Sequence, residues 1–201
     1  MEKFVPKYRN GAWSAGGVLY VYVCPRAGVD DELLELAQRC RSAISEYPID
    51  PQYPDAPADP GWLHLTVEMI ADTPTAAISD EEKRKLVSEL TQELSGLPGF
   101  GTEVGPPIGN VAGCVLDVWP EDKVRELGSR VWTAVVRARG EDAIQHSGGR
   151  PHMSIGYYMP RRTPTRPSAS CAASVPATHL CTSARFTSST SPHRRAASRR
   201  P

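Results

Sequence analysis

The chain has 201 residues, of which 40% are hydrophobic and 23% are charged, and its formal net charge is zero. This length and composition are typical of one soluble globular domain. The apolar run at 18–24 is too short for a membrane span, which needs about 20 residues, and the first residues lack the apolar stretch of a signal peptide. Five cysteines without C-x-x-C spacing favour reduced thiols over a disulfide framework, so we expect a cytoplasmic protein.

The neutral total conceals an uneven distribution of charge. Residues 160–201 carry eight arginines and no acidic residue, so residues 1–159 hold 15 basic and 23 acidic side chains, a net charge of −8. Phosphate contacts supply most of the non-specific affinity for nucleic acids. A body this acidic is therefore a poor binder of long nucleic acids, and an RNA substrate is expected to be held at a terminus or over a few nucleotides.

Hydrophobic periodicity predicts alternating strands and helices as far as residue 158. Four segments rich in β-branched and aromatic residues predict strands: 16–23, 62–70, 111–119 and 151–158. Three segments with apolar residues at helical spacing predict helices, which begin near Asp30, Ser79 and Pro120. Residues 100–108 predict an edge strand interrupted by glycine and proline. The five prolines within 47–60 predict a loop.

A strand–helix–strand unit occurs twice in this order of elements. The strand at 17–23, a helix and the strand at 62–70 correspond to the strand at 113–119, a helix and the strand at 151–158. The repeat predicts an α+β fold with two lobes related by a pseudo-two-fold axis. A cleft is expected where the corresponding strands meet.

The composition changes after Tyr158. Residues 160–201 are mostly Ser, Arg, Thr, Ala and Pro, and their sizeable apolar residues are Val175, Leu180 and Phe186. Such a segment cannot bury enough surface to offset its ordering entropy, so we predict a folded domain at 1–159 and a disordered basic tail at 160–201. The tail is either an arm for nucleic acid or a segment without selected structure. Its composition also fits a frameshift product of a GC-rich gene.

Two of the predicted strands carry a His-x-Thr/Ser triplet. The triplets are His64-Leu65-Thr66 and His152-Met153-Ser154. Because residues two apart in a strand share a face, each strand presents one imidazole beside one hydroxyl. A neutral imidazole can accept a proton and an imidazolium can donate one to a leaving oxygen, while hydroxyls can bind the non-bridging oxygens of a phosphate. A single triplet is equally consistent with an ordinary surface histidine, but the two triplets together favour a metal-independent phosphoester reaction.

Three other residues near the triplets are candidates for substrate contact, and a fourth, Glu68, is weighed as a group that orients an imidazole. Trp62 and Tyr158 lie an even number of residues from the histidines of their strands, so they are expected on the same face and are placed to stack on a base. The alternative is that they complete the packing of their strands. Arg150 is a candidate phosphate contact, although it follows two glycines that can interrupt strand geometry. Glu68 is expected to be a solvated surface carboxylate rather than a group that orients an imidazole.

Three segments, two of which contain the triplets, resemble the 2H phosphoesterase superfamily, the bacterial members in particular. They are Gly61-Trp62-Leu63-His64-Leu65-Thr66-Val67, Val104-Gly105-Pro106-Pro107 and Arg150-Pro151-His152-Met153-Ser154-Ile155-Gly156-Tyr157. This superfamily includes 2′,5′ RNA ligase-like proteins and cyclic phosphodiesterases, and the resemblance covers residues 16–158 in element order.

The resemblance implies a bilobal α+β fold, with antiparallel sheets flanked by helices around a central cleft. It implies that His64 and His152 are the acid/base pair, that Thr66 and Ser154 bind phosphate, and that no cofactor is needed. Members usually continue after the second triplet with a further helix and strand. Because the basic tail stands there in this chain, the C-terminal part of the fold is expected to be incomplete.

The residues and the resemblance together predict hydrolysis of a 2′,3′-cyclic phosphate or a 2′,5′-phosphodiester, or the reverse joining reaction. The expected substrate is an RNA terminus or a small cyclic nucleotide, with no DNA or membrane partner, and the protein is expected to act as a monomer. Two alternatives remain open at this stage. One is a non-catalytic module that binds an RNA end or a nucleotide, and the other is an inactive, truncated member of the family.

Overall fold

The computed structural model describes residues 18–47, 49–51, 63–111, 113–144, 149–158, 179–181 and 185–188. Within these residues, the strands are β1 (Leu19–Val23), β2 (Ile49–Pro51), β3 (Leu65–Ile70), β4 (Gly101–Gly109), β5 (Gly113–Trp119), β6 (His152–Tyr158), β7 (His179–Cys181) and β8 (Arg185–Ser188). The helices are α1 (Asp31–Ile44), α2 (Asp80–Leu94) and α3 (Glu121–Arg139). None of these three helices combines the length and hydrophobicity that a membrane span requires.

The eight strands form one sheet in the order β7-β1-β3-β6-β5-β4-β8, and β2 pairs with β6 beside this path. The pairs along β1-β3-β6-β5-β4 are antiparallel, whereas β7 and β8 pair in parallel with β1 and β4. The repeated unit is visible in the order β1-β3-β6-β5, where the second strand of each unit lies at the centre. The α+β class and the antiparallel pairing are therefore as predicted, and the two halves share one continuous sheet.

The helices cross over between the two halves. α1 packs against β6, and α3 packs against β3 and α2. Helix α3 reaches this position because its apolar residues follow helical spacing on one side; they are Val124, Leu127, Val131 and Val135, and all are buried. Each half of the sheet is thus covered in part by the helix of the other half.

The core lies on the helix-facing side of the sheet. Leu65, Met153 and Ile155 are almost fully buried there, as the alternation of the two triplet strands predicts. Strand β1 buries Leu19, Val21 and Val23 in the same cluster. Cys24 and Cys114 are buried, which is common for cysteines that act as small hydrophobic residues, and Cys40 is half-buried.

One expectation about an irregular segment needs correction, and a second is tested only in small part. The segment 47–60, predicted to be a loop, contains strand β2, because Ile49–Pro51 find pairing partners on β6. Strands β7 and β8 lie within 160–201, where composition predicts no regular structure. The other residues of that segment lie outside the described residues, so the division of the chain at residue 159 stays a prediction.

Candidate active site

The two triplets meet at the centre of the sheet. β3 and β6 are joined by one antiparallel pair, in which Leu65 lies opposite Met153. Positions one step away along an antiparallel register also face each other. Continued on both sides of this pair, the register matches Thr66 with His152 and His64 with Ser154; Leu65–Met153 is the pair that the described strands form. We call these four side chains the motif quartet, and by strand alternation they belong to the face opposite the core.

His152 is exposed, and its ring is held by the main chain. Its Nδ1 lies 2.8 Å from the carbonyl oxygen of Arg150. Because a carbonyl oxygen can only accept a hydrogen bond, Nδ1 must carry the hydrogen. In the neutral ring, the lone pair is therefore on Nε2, and this nitrogen can accept a proton from a substrate or a water molecule.

The side chain of Arg150 is paired with two carboxylates. Its guanidinium donates a hydrogen bond to Asp117, and its Nε lies 3.7 Å from Oε1 of Glu121. Asp117 is buried, and it lies directly opposite His152 in the β5–β6 register. These contacts fix the segment whose carbonyl orients His152. The Arg150 side chain is still 64% exposed, and its contact with a substrate stays a prediction.

His64 is held differently, by an aromatic neighbour. It is only 9% exposed, and the centroid of its ring lies 4.0 Å from that of Tyr22, with the rings tilted by 38°. Tyr22 in turn stacks on Tyr20, with centroids 5.1 Å apart. Sequence reasoning missed both tyrosines, although their alternation with the buried residues of β1 places them on the face opposite the core.

The two hydroxyls of the quartet differ in exposure. Thr66 is exposed, whereas Ser154 is buried and its Oγ accepts a hydrogen bond of 3.0 Å from the hydroxyl of Tyr157. Because Tyr157 supplies the hydrogen of that bond, the hydroxyl hydrogen of Ser154 remains available for a second acceptor. Tyr158 is half-buried at the end of β6, and Trp62 lies outside the described residues.

A cavity of about 900 Å³ opens beside the quartet. Its walls come from β3, from the residues around the start of β6 and from one side of α3. Thr66 and His152 line this cavity, but His64 and Ser154 do not. The quartet thus stands at its boundary, with one imidazole and one hydroxyl facing into it.

Glu68 also lines the cavity, and the expectation that it is a solvated surface carboxylate is wrong. It is 8% exposed, and desolvation raises the pKa of its carboxyl group, against a smaller lowering by the hydrogen bond from the backbone N–H of Met69. The reason is an extra residue in β3: Thr66 pairs with Tyr22, but Glu68 pairs with Val21. This irregularity reverses the faces of β3 after Val67, so the parity shared with Thr66 does not bring Glu68 to the same face.

The described residues thus define an α+β protein whose two central strands place paired imidazole and hydroxyl groups side by side. Among these residues, no three His, Cys, Asp or Glu side chains are grouped as metal ligands. The sequence matches no protein family profile and no curated protein.

Three solved structures are similar to the chain in fold. The protein TT0787 of Thermus thermophilus is 20% identical, with 72% of this chain and 77% of that chain covered and a TM-score of 0.49. LigT of E. coli, in its apo form, is 14% identical, with coverages of 78% and 80% and a TM-score of 0.44. A protein described as a phosphoesterase is 14% identical, with coverages of 76% and 80% and a TM-score of 0.43.

Proposed function

We propose that the chain is a metal-independent phosphoesterase of the 2H type. It opens a 2′,3′-cyclic phosphate, or cleaves a 2′,5′-phosphodiester, at an RNA terminus or in a small nucleotide. The observation that carries this proposal is the Leu65–Met153 pair, which brings the two triplets side by side at the centre of the sheet. Together the triplets supply two proton-transfer groups and two hydroxyl donors around one position.

The spacing of the two histidines suits an in-line displacement at phosphorus. His64 and His152 stand in a diagonal relation across β3 and β6, and diagonal neighbours in a sheet are about 7–8 Å apart. The attacking oxygen and the leaving oxygen lie on opposite sides of the phosphorus. A proton acceptor and a proton donor are therefore needed on two sides of the phosphate, and Thr66 and Ser154 stand between them to bind its non-bridging oxygens.

The surroundings of the two imidazoles favour different roles. The Nε2 lone pair of exposed His152 accepts the proton of the attacking water. The ring of His64 lies against the ring of Tyr22, and an aromatic face stabilises a neighbouring cation. Protonated His64 then donates to the leaving ribose oxygen as its bond to phosphorus breaks. One proton has been taken up and one released, and exchange with solvent restores both histidines.

The test is ring opening of a short oligoribonucleotide with a 2′,3′-cyclic phosphate end, in the presence of EDTA. His64→Ala and His152→Ala are each expected to lower the rate by at least ~100-fold. The matched control is His193→Ala, which removes a histidine outside both triplets and is expected to leave the rate unchanged. Thermal unfolding of each variant shows that the loss is not one of folding.

Opening that persists in either triplet variant, or that EDTA abolishes, contradicts the two-histidine mechanism. Binding of the oligoribonucleotide by a folded wild-type protein that forms no product would instead establish a non-catalytic binding module. The position of the product phosphate identifies the leaving ribose oxygen. Assay of the reverse reaction with a 5′-hydroxyl acceptor separates hydrolysis from joining.

A further inference from the structure

The cavity beside the quartet lies where β3 and β6 separate. On one side of the Leu65–Met153 pair, β2 pairs with β6 at Gly156 and the residues that follow it. On the other side, residues 66–69 and 149–152 line the cavity. The bridge between Ile70 and Ile144 lies at its far end. Among the described residues, the cavity is therefore the counterpart of the place that β2 occupies on the other side of the pseudo-two-fold axis.

The position of this cavity determines which part of a ligand it receives. Thr66 and His152 belong both to the quartet and to the wall of the cavity. A phosphate held by the quartet lies next to the cavity, so the cavity is within reach of a group attached to its ribose. The volume of about 900 Å³ is within the range of small-molecule sites.

The walls provide flat, apolar contacts suited to an aromatic ring. Trp132 of α3 lines the cavity and is 43% exposed, so part of its ring is accessible to a ligand. Tyr20, Val67 and Met69 face the same space from β1 and β3. Nucleobases stack on such aromatic side chains irrespective of their sequence.

The charges at the cavity favour a single nucleotide over a long polyanion. Arg125 and Arg150 line it, but each is paired with Glu121, and Arg150 also with Asp117. The cationic charge at the rim is thereby largely neutralised. An extended phosphate backbone finds little net attraction there.

Although β3 turns Glu68 to the face away from Thr66, both residues line the cavity where β3 and β6 separate, and Glu68 gives it one directional polar group. The residue is 8% exposed, and one of its carboxylate oxygens accepts the backbone N–H of Met69 at 2.9 Å. No cation is paired with this carboxylate among the described residues, and burial raises its pKa. A buried carboxylate in this situation is stabilised when a ligand donates an N–H hydrogen bond to it.

We propose that this cavity binds the nucleobase next to the scissile phosphate, with Trp132 stacking on the ring and Glu68 accepting a hydrogen bond from an exocyclic amino group. The substrate class is accordingly a nucleoside 2′,3′-cyclic phosphate, or an RNA end, whose terminal base is an amino-bearing one. This inference rests on the proposed function, since it takes the quartet as the phosphate site. A carboxylate that accepts from the N4 amino group of cytosine is an established form of base recognition.

The test compares kcat/KM for 2′,3′-cyclic CMP and 2′,3′-cyclic UMP, which present an amino group and a carbonyl oxygen at the same ring position. Wild-type protein is expected to prefer the cytidine substrate by about 10-fold or more. Glu68→Gln is expected to bring the ratio close to one, because an amide can both donate and accept. The control Glu103→Gln changes a carboxylate on β4, outside the cavity, and leaves the ratio as in wild type.

Trp132→Ala tests the stacking independently of Glu68. Loss of a stacking contact is expected to raise KM for both substrates by about 5- to 150-fold without changing their ratio. Tyr47→Ala removes an exposed aromatic ring outside the cavity and serves as its control. Because Trp132 lies on the surface of α3, this variant remains informative if Glu68→Gln fails to fold.

Failure of this inference is distinguishable from failure of the proposed function. Equal turnover of the two substrates, or of a base-free ribose cyclic phosphate, overturns the base site and leaves the phosphoesterase intact. If neither substrate is opened, the phosphoesterase proposal fails. Calorimetric binding of cytidine and uridine 2′-monophosphates to the same variants then decides the base site by itself, with equal affinities overturning it.

Discussion

A single added methyl group at Gly113 is expected to disturb the strand that carries His152. Gly113 lies in β5, opposite Tyr157 in β6. A Cβ atom at this position would stand 2.1 Å from the carbonyl oxygen of Gly156 and 2.9 Å from the Cα of Tyr157. Both contacts are with backbone atoms, so no side-chain rotation relieves them. An ordinary contact begins at 3.4 Å, and β5 and β6 must therefore move apart locally by roughly 1.3 Å.

The cost of Gly113→Ala follows from this displacement. Overpacking of a well-packed site costs about 1–3 kcal/mol. For a chain of this size, each kcal/mol lowers Tm by about 2–4 °C, so we expect Tm to fall by about 2–12 °C. The same shift acts on β6, which positions His152, and kcat for ring opening is expected to fall with it.

Thermal unfolding followed by circular dichroism measures this effect. Gly109→Ala is the matched control, because Gly109 lies in neighbouring β4 and an added Cβ there meets no atom within 4 Å. Its Tm is expected to stay within about 1 °C of wild type. A Gly113→Ala protein that is as stable as the Gly109→Ala protein would refute the close approach of β5 and β6 and the reasoning built on it.

Three further predictions concern the quartet, its support and a helix start. Thr66→Val is expected to lower kcat by about 100-fold, while Thr91→Val on α2 leaves it unchanged; equal rates would exclude Thr66 from phosphate binding. Asp117→Asn is expected to lower kcat by up to ~100-fold with little change in KM, and a change in KM alone would argue against a positioning role. Hydrogen bonds from Ser79, and to a smaller extent from Arg139, hold the pKa of Glu82 at about 2, below its ordinary value of 4.5. The stability that these bonds provide is therefore present above pH 4.5 and is lost as the pH falls toward 2. Ser79→Ala should weaken this acid dependence in urea unfolding, and an unchanged difference between pH 6 and pH 3 would contradict it.

The helices and central strands were predictable because the spacing of apolar residues along the sequence shows which side of each element is buried. The start of α2 is an example: Ser79 and Glu82 form a capping box, in which each side chain accepts the backbone N–H of the other, and the two residues are three apart in the sequence. The same holds for Leu65 and Met153, whose alternation with the triplet residues gives their inward direction.

Strand β2 was missed because its formation depends on a distant partner. Its residues, Ile49–Pro51, lie among prolines that by themselves favour a loop. They form a strand by pairing with β6, more than 100 residues away along the chain. Local propensity carries no information about such a partner.

The histidines and hydroxyls of the candidate site could be identified from the sequence, but their surroundings could not. Parity places Tyr22 opposite the core, yet which ring it meets depends on the order of the strands in the sheet. The position of Glu68 depends on one extra residue in β3, and a period of two carried past Val67 assigns it to the wrong face. Assignments made by counting residues along a strand thus hold only as far as its first irregularity.

The crossing of the helices has a consequence for the order in which the chain acquires its structure during synthesis. β3 packs against α3, which leaves the ribosome only after α2, β4 and β5, and α1 packs against β6, the last strand of the repeat. The first unit therefore cannot complete its packing while it is the only part of the chain that has been made. A nascent chain that stops before β6 keeps part of the apolar side of α1 exposed to solvent. Chaperones and proteases recognise chains with such exposed apolar surface.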